Sequence, residues 1–240
     1  MKNPKVCITI PVYNEEKDLE KSINKLIYFL NNNFHYPYFI VIADNASIDN
    51  TGKIGKELSK KHKQVKYNYI PKKGKGVALR DTWTRYDADI YSYMDVDLSI
   101  SIESFPEIID LIAKQNFDVA IGSRYLKHSK VKRSLKRAIL SRGYNLILKL
   151  AFNQKFKDSQ CGLKAVSKKI VREVVPKIKN NKWFFDTELL IKSEKLNYRI
   201  GEVPITLIDD PNSKVNILDT ILQYLENIIR LRKELKNEVY

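Results

Sequence analysis

Two carboxylates, Asp95 and Asp97, flank Val96 at the end of the run Ile90-Tyr91-Ser92-Tyr93-Met94. On extended backbone, side chains two residues apart leave the chain on the same side. Paired hard oxygen ligands suit Mg²⁺ or Mn²⁺, ions that proteins usually share with substrate phosphates. The mouth of an open sheet is where such ligands gather. The pair therefore points to chemistry on a phosphorylated donor; a solvated strand end is the plainer alternative. A second feature is Lys75, set between Gly74 and Gly76 ahead of a helical pattern. Glycine permits close backbone approach, and a helix start favours anions. Diphosphate or ribose contact competes here with a simple turn. The third feature is charge. Residues 119–157 contain no Asp or Glu but carry eleven Lys and Arg, out of a net charge of +15. A one-sign block of this kind seeks a polyanion.

The elements that must position these groups alternate. Apolar strand patterns cover residues 6–12, 38–43, 65–70, 90–94 and 117–122. Helical patterns cover residues 15–30, 51–62, 75–86 and 102–114. The alternation predicts an α/β fold with a mostly parallel sheet flanked by helices. Residues 133–152, 168–175, 185–195 and 217–231 read as further helices, and 199–208 as one strand. We expect one domain over residues 1–214. Residues 215–240 should add a C-terminal amphipathic helix. Helices with apolar faces flanked by Lys and Arg, at 135–152 and 217–231, suit either a membrane interface or a core. No G-x-G-x-x-G follows the first strand, and Gly74-Lys75-Gly76 is not a Walker loop.

Composition narrows the class. At 240 residues, 43% hydrophobic and 30% charged, the chain supports a sizeable globular core. Two cysteines, Cys7 and Cys161, without C-x-x-C spacing argue against a disulfide framework and a zinc site. The absence of a signal-peptide pattern and of a long apolar run leads us to expect a cytoplasmic protein, and the two amphipathic helices suit a peripheral place on the cytoplasmic face of the membrane. The basic block lacks regularly interleaved aromatics, which argues against a nucleic-acid partner.

Five motifs fall in order at strand ends: Ile10-Pro11-Val12-Tyr13-Asn14-Glu15, Ala43-Asp44-Asn45-Ala46-Ser47-Ile48-Asp49, Gly74-Lys75-Gly76, Asp95-Val96-Asp97 and Gly122-Ser123-Arg124. The set resembles the family 2 inverting glycosyltransferases of GT-A (Rossmann-like) fold. The segments Leu135-Lys136-Arg137-Ala138-Ile139-Leu140-Ser141-Arg142-Gly143 and Glu202-Val203-Pro204-Ile205 resemble dolichyl-phosphate mannosyltransferases. Asp158-Ser159-Gln160-Cys161-Gly162-Leu163-Lys164 and Phe185-Asp186-Thr187-Glu188 resemble dolichyl-phosphate glucosyltransferases.

The resemblance implies transfer of a hexose from a nucleotide sugar to a polyprenyl or dolichyl phosphate. UDP-glucose is the first choice of donor and GDP-mannose the second. Pro11, Tyr13 and Glu15 would line the base and ribose pocket, and Asp44 would accept from the base. Asp95 and Asp97 would hold Mg²⁺ or Mn²⁺ against the donor diphosphate. Arg124, Arg137 and Arg142 would hold the acceptor phosphate, because guanidinium grips phosphate in a fixed fork. Asp97, Arg124 and Arg137 carry the catalytic expectation. Asp186 and Glu188 remain candidates for orienting sugar hydroxyls, for a structural part, or for a base if the acceptor were a glycan hydroxyl. Asp49 fits turn and N-cap duty better than ligand contact. Trp183 fits packing as well as stacking on a sugar. The segment after Thr206 keeps Ser213-Lys214 but lacks the Trp of the glucosyl group and the Arg of the mannosyl group, which leaves another sugar open.

Overall fold

The computed structural model describes residues 3–208 and 217–237, with the side chains of the last segment described from Leu222 onward. Its first half is the predicted alternation: β1 (Val6–Val12), α1 (Leu19–Asn33), β2 (Tyr38–Asp44), α2 (Thr51–Lys61), β3 (Val65–Tyr69), α3 (Lys75–Arg85), β4 (Ile90–Met94), α4 (Phe105–Ala113) and β5 (Val119–Ser123). The second half adds β6 (Lys130–Lys132), α5 (Leu135–Phe152), β7 (Leu163–Ser167), α6 (Lys168–Glu173), α7 (Phe185–Lys195), β8 (Ile200–Pro204), β9 (Thr206–Ile208) and α8 (Ile217–Asn237).

Seven strands form one sheet in the order β3-β2-β1-β4-β7-β5-β8, and β6 and β9 form a small second sheet. All neighbours in the large sheet are parallel except β7, which runs antiparallel between β4 and β5. The inner strands are buried on both faces, which is why β1 and β2 read as unbroken apolar runs. Successive residues feed opposite layers. Val6, Ile8, Ile10, Ile40 and Ile42 join a core with α1 and α4. Cys7, Phe39 and Val41 join the other core, with α3, α5, α6, α7 and α8. The result is a three-layer α/β/α sandwich.

Strand order reverses beside β1, with β2 on one side and β4 on the other. A crevice at the carboxyl ends of such strands is where ligands bind. Because β7 is antiparallel, its start lies at that same edge, with Leu163 opposite Met94. This brings the 158–162 loop beside the end of β4.

The structure departs from the expected elements in several places, among them the three-residue β6, where no strand was expected. Strand β7 was absent from the pattern because it is five residues long and carries Lys164 inside it. Helix α1 begins at Leu19 and not at Glu15. Asn14 is left-handed (φ 55°), and Thr51 Oγ1 and Asp49 Oδ2 accept from the N–H groups of Glu15 and Glu16, so that stretch is a turn tied to α2. The single strand expected over 199–208 is two strands, β8 in the large sheet and β9 in the small one. The Ser213-Lys214 motif lies outside the described residues.

Among the described residues no helix is long and apolar enough to cross a membrane. Helix α5 nonetheless leaves large apolar side chains uncovered: Leu135, Ile139, Leu146, Ile147 and Leu150 are all exposed. The burial difference predicts opposite responses to truncation. Phe105→Ala, fully buried under α1, should lower unfolding free energy by about 3–5 kcal/mol. Leu150→Ser, 77% exposed, should change it by less than about 0.5 kcal/mol. Urea unfolding midpoints of the two variants check this.

Candidate active site

The two carboxylates follow β4 in a short turn in which Asp97 Oδ1 accepts from Ser99 N–H at 3.0 Å. Asp97 is exposed, and the Asp95 side chain is 41% exposed at the mouth of the cleft. Asp95 is seated against Gly162: a Cβ there would stand 2.0 Å from Asp95 Oδ2. Any side chain at Gly162 would therefore have to displace this carboxylate.

Lys75 opens α3 and is nearly enclosed. Its ammonium lies 3.4 Å from both Asp95 Oδ1 and Asp186 Oδ2. It also sits 4.2 Å from the Tyr93 ring centre and 5.3 Å from that of Trp183, which is half exposed. Behind this pair is a fully buried cation, Lys164, which was not among the expected site residues. Its ammonium donates to Cys161 O at 2.6 Å and to Tyr93 Oη at 3.2 Å, and lies 3.5 Å from Asp186 Oδ1. Tyr93 in turn donates to Asp186 Oδ1. Asp186 is therefore held from three sides. Burial alone would raise its pKa, but the Lys164 and Lys75 ammoniums and the Tyr93 hydroxyl keep it below the usual carboxylate value. Asp95 moves the other way: the partial burial of its carboxylate, with the Asp97 and Asp186 charges, outweighs Lys75 and raises it. Burial also pushes the Cys161 thiol up to about 12, so it is no nucleophile.

Glu188 does not face the cleft. It is fully buried, accepts the N–H groups of Lys179 and Asn180, and pairs with Arg230 at 2.5 Å. Both of its carboxylate oxygens are thus engaged within the fold.

The expected acceptor arginines are not brought together. Arg124 Nε and Nη2 donate to the two oxygens of Asp158 at 2.7 and 2.6 Å, a bidentate pair with a buried carboxylate. Its fork is spent inside the protein, where it anchors the 158–162 loop to the end of β5. Arg137 and Arg142 lie five positions apart on α5, about 140° around the helix. Arg137 shares its side with Ser141, Tyr144 and Leu148, which pack inward; Tyr144 Oη bonds Thr187 Oγ1 at 2.7 Å, next to Asp186. Arg142 lies instead on the exposed stripe with Leu135, Ile139, Leu146 and Leu150.

The expected base and ribose pocket lies at the ends of β1 and β2. Pro11 pairs with Ala43, and exposed Tyr13 is bonded and stacked by Lys73. Asp44 is buried, accepting from Ser47 N–H at 3.0 Å and from Tyr67 Oη at 2.6 Å. One carboxylate oxygen thus serves the turn after β2, and the other takes the Tyr67 hydroxyl of β3. Glu15 flanks the pocket, half buried. Asp49 accepts from Thr51 N–H and Glu16 N–H, which ties the start of α2 to the turn after β1; the N-cap position itself is Asn50.

An all-oxygen pair at the end of β4 fits Mg²⁺ or Mn²⁺. Among the described residues no group of three or more His, Cys, Asp or Glu could hold an ion by itself. Protein ligation by Asp95 and Asp97 would therefore be completed by donor oxygens and water, as Mg²⁺ prefers. Lys75, already within 3.4 Å of Asp95, marks the position as one that draws a cation.

Two measurements follow from this geometry. Gly162→Ala should displace Asp95 and reduce turnover about a hundredfold, with circular dichroism unchanged. The second concerns acid stability. Burial would raise the Asp158 pKa, but Arg124 holds it below its unfolded value near 3.9. The stability it contributes is therefore complete above about pH 4 and is lost as pH falls through the folded value. Asp158→Asn should be much less stable than wild type at pH 7, and the gap should narrow below about pH 4 in denaturant titrations.

Comparison with known proteins places this geometry. Residues 7–175 match the family described as Glycosyl transferase family 2. The chain is 28% identical over 240 residues to a dolichyl-phosphate beta-glucosyltransferase of Dictyostelium discoideum, covering 95% of this chain and 73% of that protein. It is 32% identical over 235 residues to a dolichol-phosphate mannosyltransferase of Pyrococcus furiosus, covering 95% and 64%. It is 26% identical over 227 residues to the glycosyltransferase AglD of Haloferax volcanii, covering 94% of this chain but only 36% of that protein. The fold also superimposes on glucosyl-3-phosphoglycerate synthase of Mycobacterium tuberculosis, solved with Mn²⁺, UDP-glucose and phosphoglyceric acid. The TM-score is 0.72 at 15% identity, covering 95% and 79% of the two chains. A further structure of that enzyme holds Mg²⁺ and UDP. With its sheet order, its carboxylate pair at the end of β4 and a match over most of its length, this chain belongs to glycosyl transferase family 2.

Proposed function

We propose that this chain transfers a hexose, with inversion, from a nucleotide sugar to a polyprenyl or dolichyl phosphate. UDP-glucose is the favoured donor and GDP-mannose the alternative. The observation that carries the acceptor assignment is the state of the two candidate bases. Asp186 is occupied by Lys75, Lys164 and Tyr93, and Glu188 is buried under Arg230. A hydroxyl acceptor needs a carboxylate free to take its proton. A phosphate monoester does not, since its second pKa near 6 leaves it largely dianionic at neutral pH. The names of the Dictyostelium and Pyrococcus relatives support the same acceptor class.

In this reading the nucleotide lies over the ends of β1 and β2, near Pro11, Tyr13, Glu15 and Asp44. Lys75 and Trp183 face the diphosphate and sugar. Asp95 and Asp97 hold Mg²⁺ or Mn²⁺, which supplies neutralisation of the charge that builds on the departing nucleoside diphosphate. A phosphate oxygen of the acceptor attacks the anomeric carbon, and the bond from that carbon to the diphosphate breaks. Arg137, on the inward side of α5, serves the acceptor phosphate; Arg124 fixes the loop beneath it. Catalysis is then positioning and charge compensation.

The lipid explains the uncovered side of α5. Leu135, Ile139, Leu146 and Leu150 with Arg142 form an apolar stripe with a cation, the composition of a helix lying in a membrane interface. We place the protein peripherally on the cytoplasmic face.

Purified protein with Mg²⁺ or Mn²⁺ and a short polyprenyl phosphate should glycosylate the lipid with one of UDP-glucose, UDP-N-acetylglucosamine or GDP-mannose, as read by mass. Product on a free glycan and none on the lipid phosphate would overturn the acceptor. Asp95→Asn with Asp97→Asn should abolish turnover at limiting metal; full turnover would remove the metal assignment. Leu146→Ser with Leu150→Ser should weaken sedimentation with anionic vesicles several-fold while leaving the melting temperature unchanged.

A further inference from the structure

Helix α8 presents three sides along its length. Tyr224, Ile228 and Leu231 pack into the core shared with α7. Leu222, Leu225 and Ile229 are exposed. The third side, Asn227, Arg230 and Glu234, meets the loop formed by residues 178–183. Arg230 Nη2 lies 2.5 Å from Glu188 Oε2, and its Nη1 lies 3.1 Å from Glu234 Oε2. Glu188 accepts the N–H groups of Lys179 and Asn180 at 2.9 and 3.1 Å. Asn227 Oδ1 accepts directly from Asn180 Nδ2 at 3.0 Å.

The other side of the same loop lies flat on the start of α3. Asn181 O accepts from Val77 N–H, and Arg80 donates to Asn181 Oδ1 and Ile178 O, both at 2.6 Å. Two glycines make room for it. A Cβ on Gly74 would stand 2.2 Å from Asn181 O, and one on Gly76 would stand 2.9 Å from Asn180 O. Gly74 also has φ 138°, which a side chain would strain. Between these glycines is Lys75, and at the end of the loop is Trp183, 5.3 Å from the Lys75 ammonium.

We propose that Asn227 and Arg230 are positioning residues of the donor site. Through Glu188 and the 178–183 loop they hold Lys75 and Trp183 in the pose that receives the nucleotide sugar. The C-terminal helix is then part of the functional unit, although it lies beyond the residues 7–175 that match the family. The inference rests on the reading that Lys75 faces the donor.

The test compares Asn227→Ala, Arg230→Lys, Arg230→Gln and Lys75→Ala in the full chain. Binding of UDP-glucose and GDP-mannose is followed by tryptophan fluorescence, together with the KM for polyprenyl phosphate and the melting temperature. Asn227→Ala removes the bond from Asn180 and the longer contacts with Arg230, and should weaken donor binding about fivefold to tenfold, with acceptor KM and melting temperature unchanged. Arg230→Lys should fall between wild type and Arg230→Gln. Lys75→Ala should weaken donor binding at least as much. Unchanged donor affinity in the Asn227 and Arg230 variants, with a loss in Lys75→Ala, would overturn the positioning role alone. A loss shared equally by donor affinity, acceptor KM and melting temperature would reduce it to general stability. Unchanged donor affinity in Lys75→Ala would overturn both this inference and the donor-site reading beneath it.

Discussion

A lysine buried in the middle of the sheet governs the site. Lys164 is carried by the one antiparallel strand, between two parallel neighbours, and has no access to water. A buried cation persists only where its charge and donors are satisfied. Here Asp186 supplies the charge, and Cys161 O and Tyr93 Oη accept from the ammonium. Removing one member of such a group leaves the others stranded, at a cost of about 3–5 kcal/mol. The arrangement therefore behaves as one unit. It holds the carbonyl of the residue before Gly162, and Gly162 abuts Asp95. It also aims Asp186 at Lys75. Both groups proposed to meet the donor diphosphate are thus positioned from behind by a charge the donor never touches.

The topology explains why these parts converge. Parallel strands β1, β2, β4 and β5 all end at one edge, so their following turns supply Tyr13, Asp44, Asp95 and Arg124 to a single rim. The antiparallel β7 begins at that rim and so delivers its preceding loop there. A strand inserted in the parallel sense would have placed Asp158 and Gly162 at the opposite edge. The acidic groups are then sorted by their surroundings. Asp95 and Asp97 remain open at the mouth, Asp186 and Asp158 are neutralised by lysines and an arginine, and Glu188 is sealed under the last helix.

Much of this was legible in the chain. The unbroken apolar runs of β1, β2, β4 and β5 are strong because both faces are buried, and the carboxylate pair at the end of β4 stood where the pattern put it. Strand β7 was not legible: a lysine in a five-residue run reads as surface, and its compensating carboxylate, Asp186, is 22 residues away in sequence. The lone lysine in Leu163-Lys164-Ala165-Val166 after Cys161-Gly162 was the available signal. The arrangement of the arginines was hidden for a related reason. A basic block reveals the sum of its charges but not their partners, and Asp158, the first acid after the block, proved to be the partner of Arg124. Arg137 and Arg142 share a motif but not a helix face, a distinction that follows from spacing once α5 is known to run unbroken through both.

Lys164 and Asp186 are coupled through one buried network behind the proposed donor site. The most direct test of this coupling is a double-mutant cycle in nucleotide-sugar binding, measured by calorimetry with Lys164→Met, Asp186→Asn and the pair combined. Coupled action predicts non-additive losses, with the combined variant binding UDP-glucose no more weakly than the weaker single variant. Losses that simply add would show two independent residues and contradict the account.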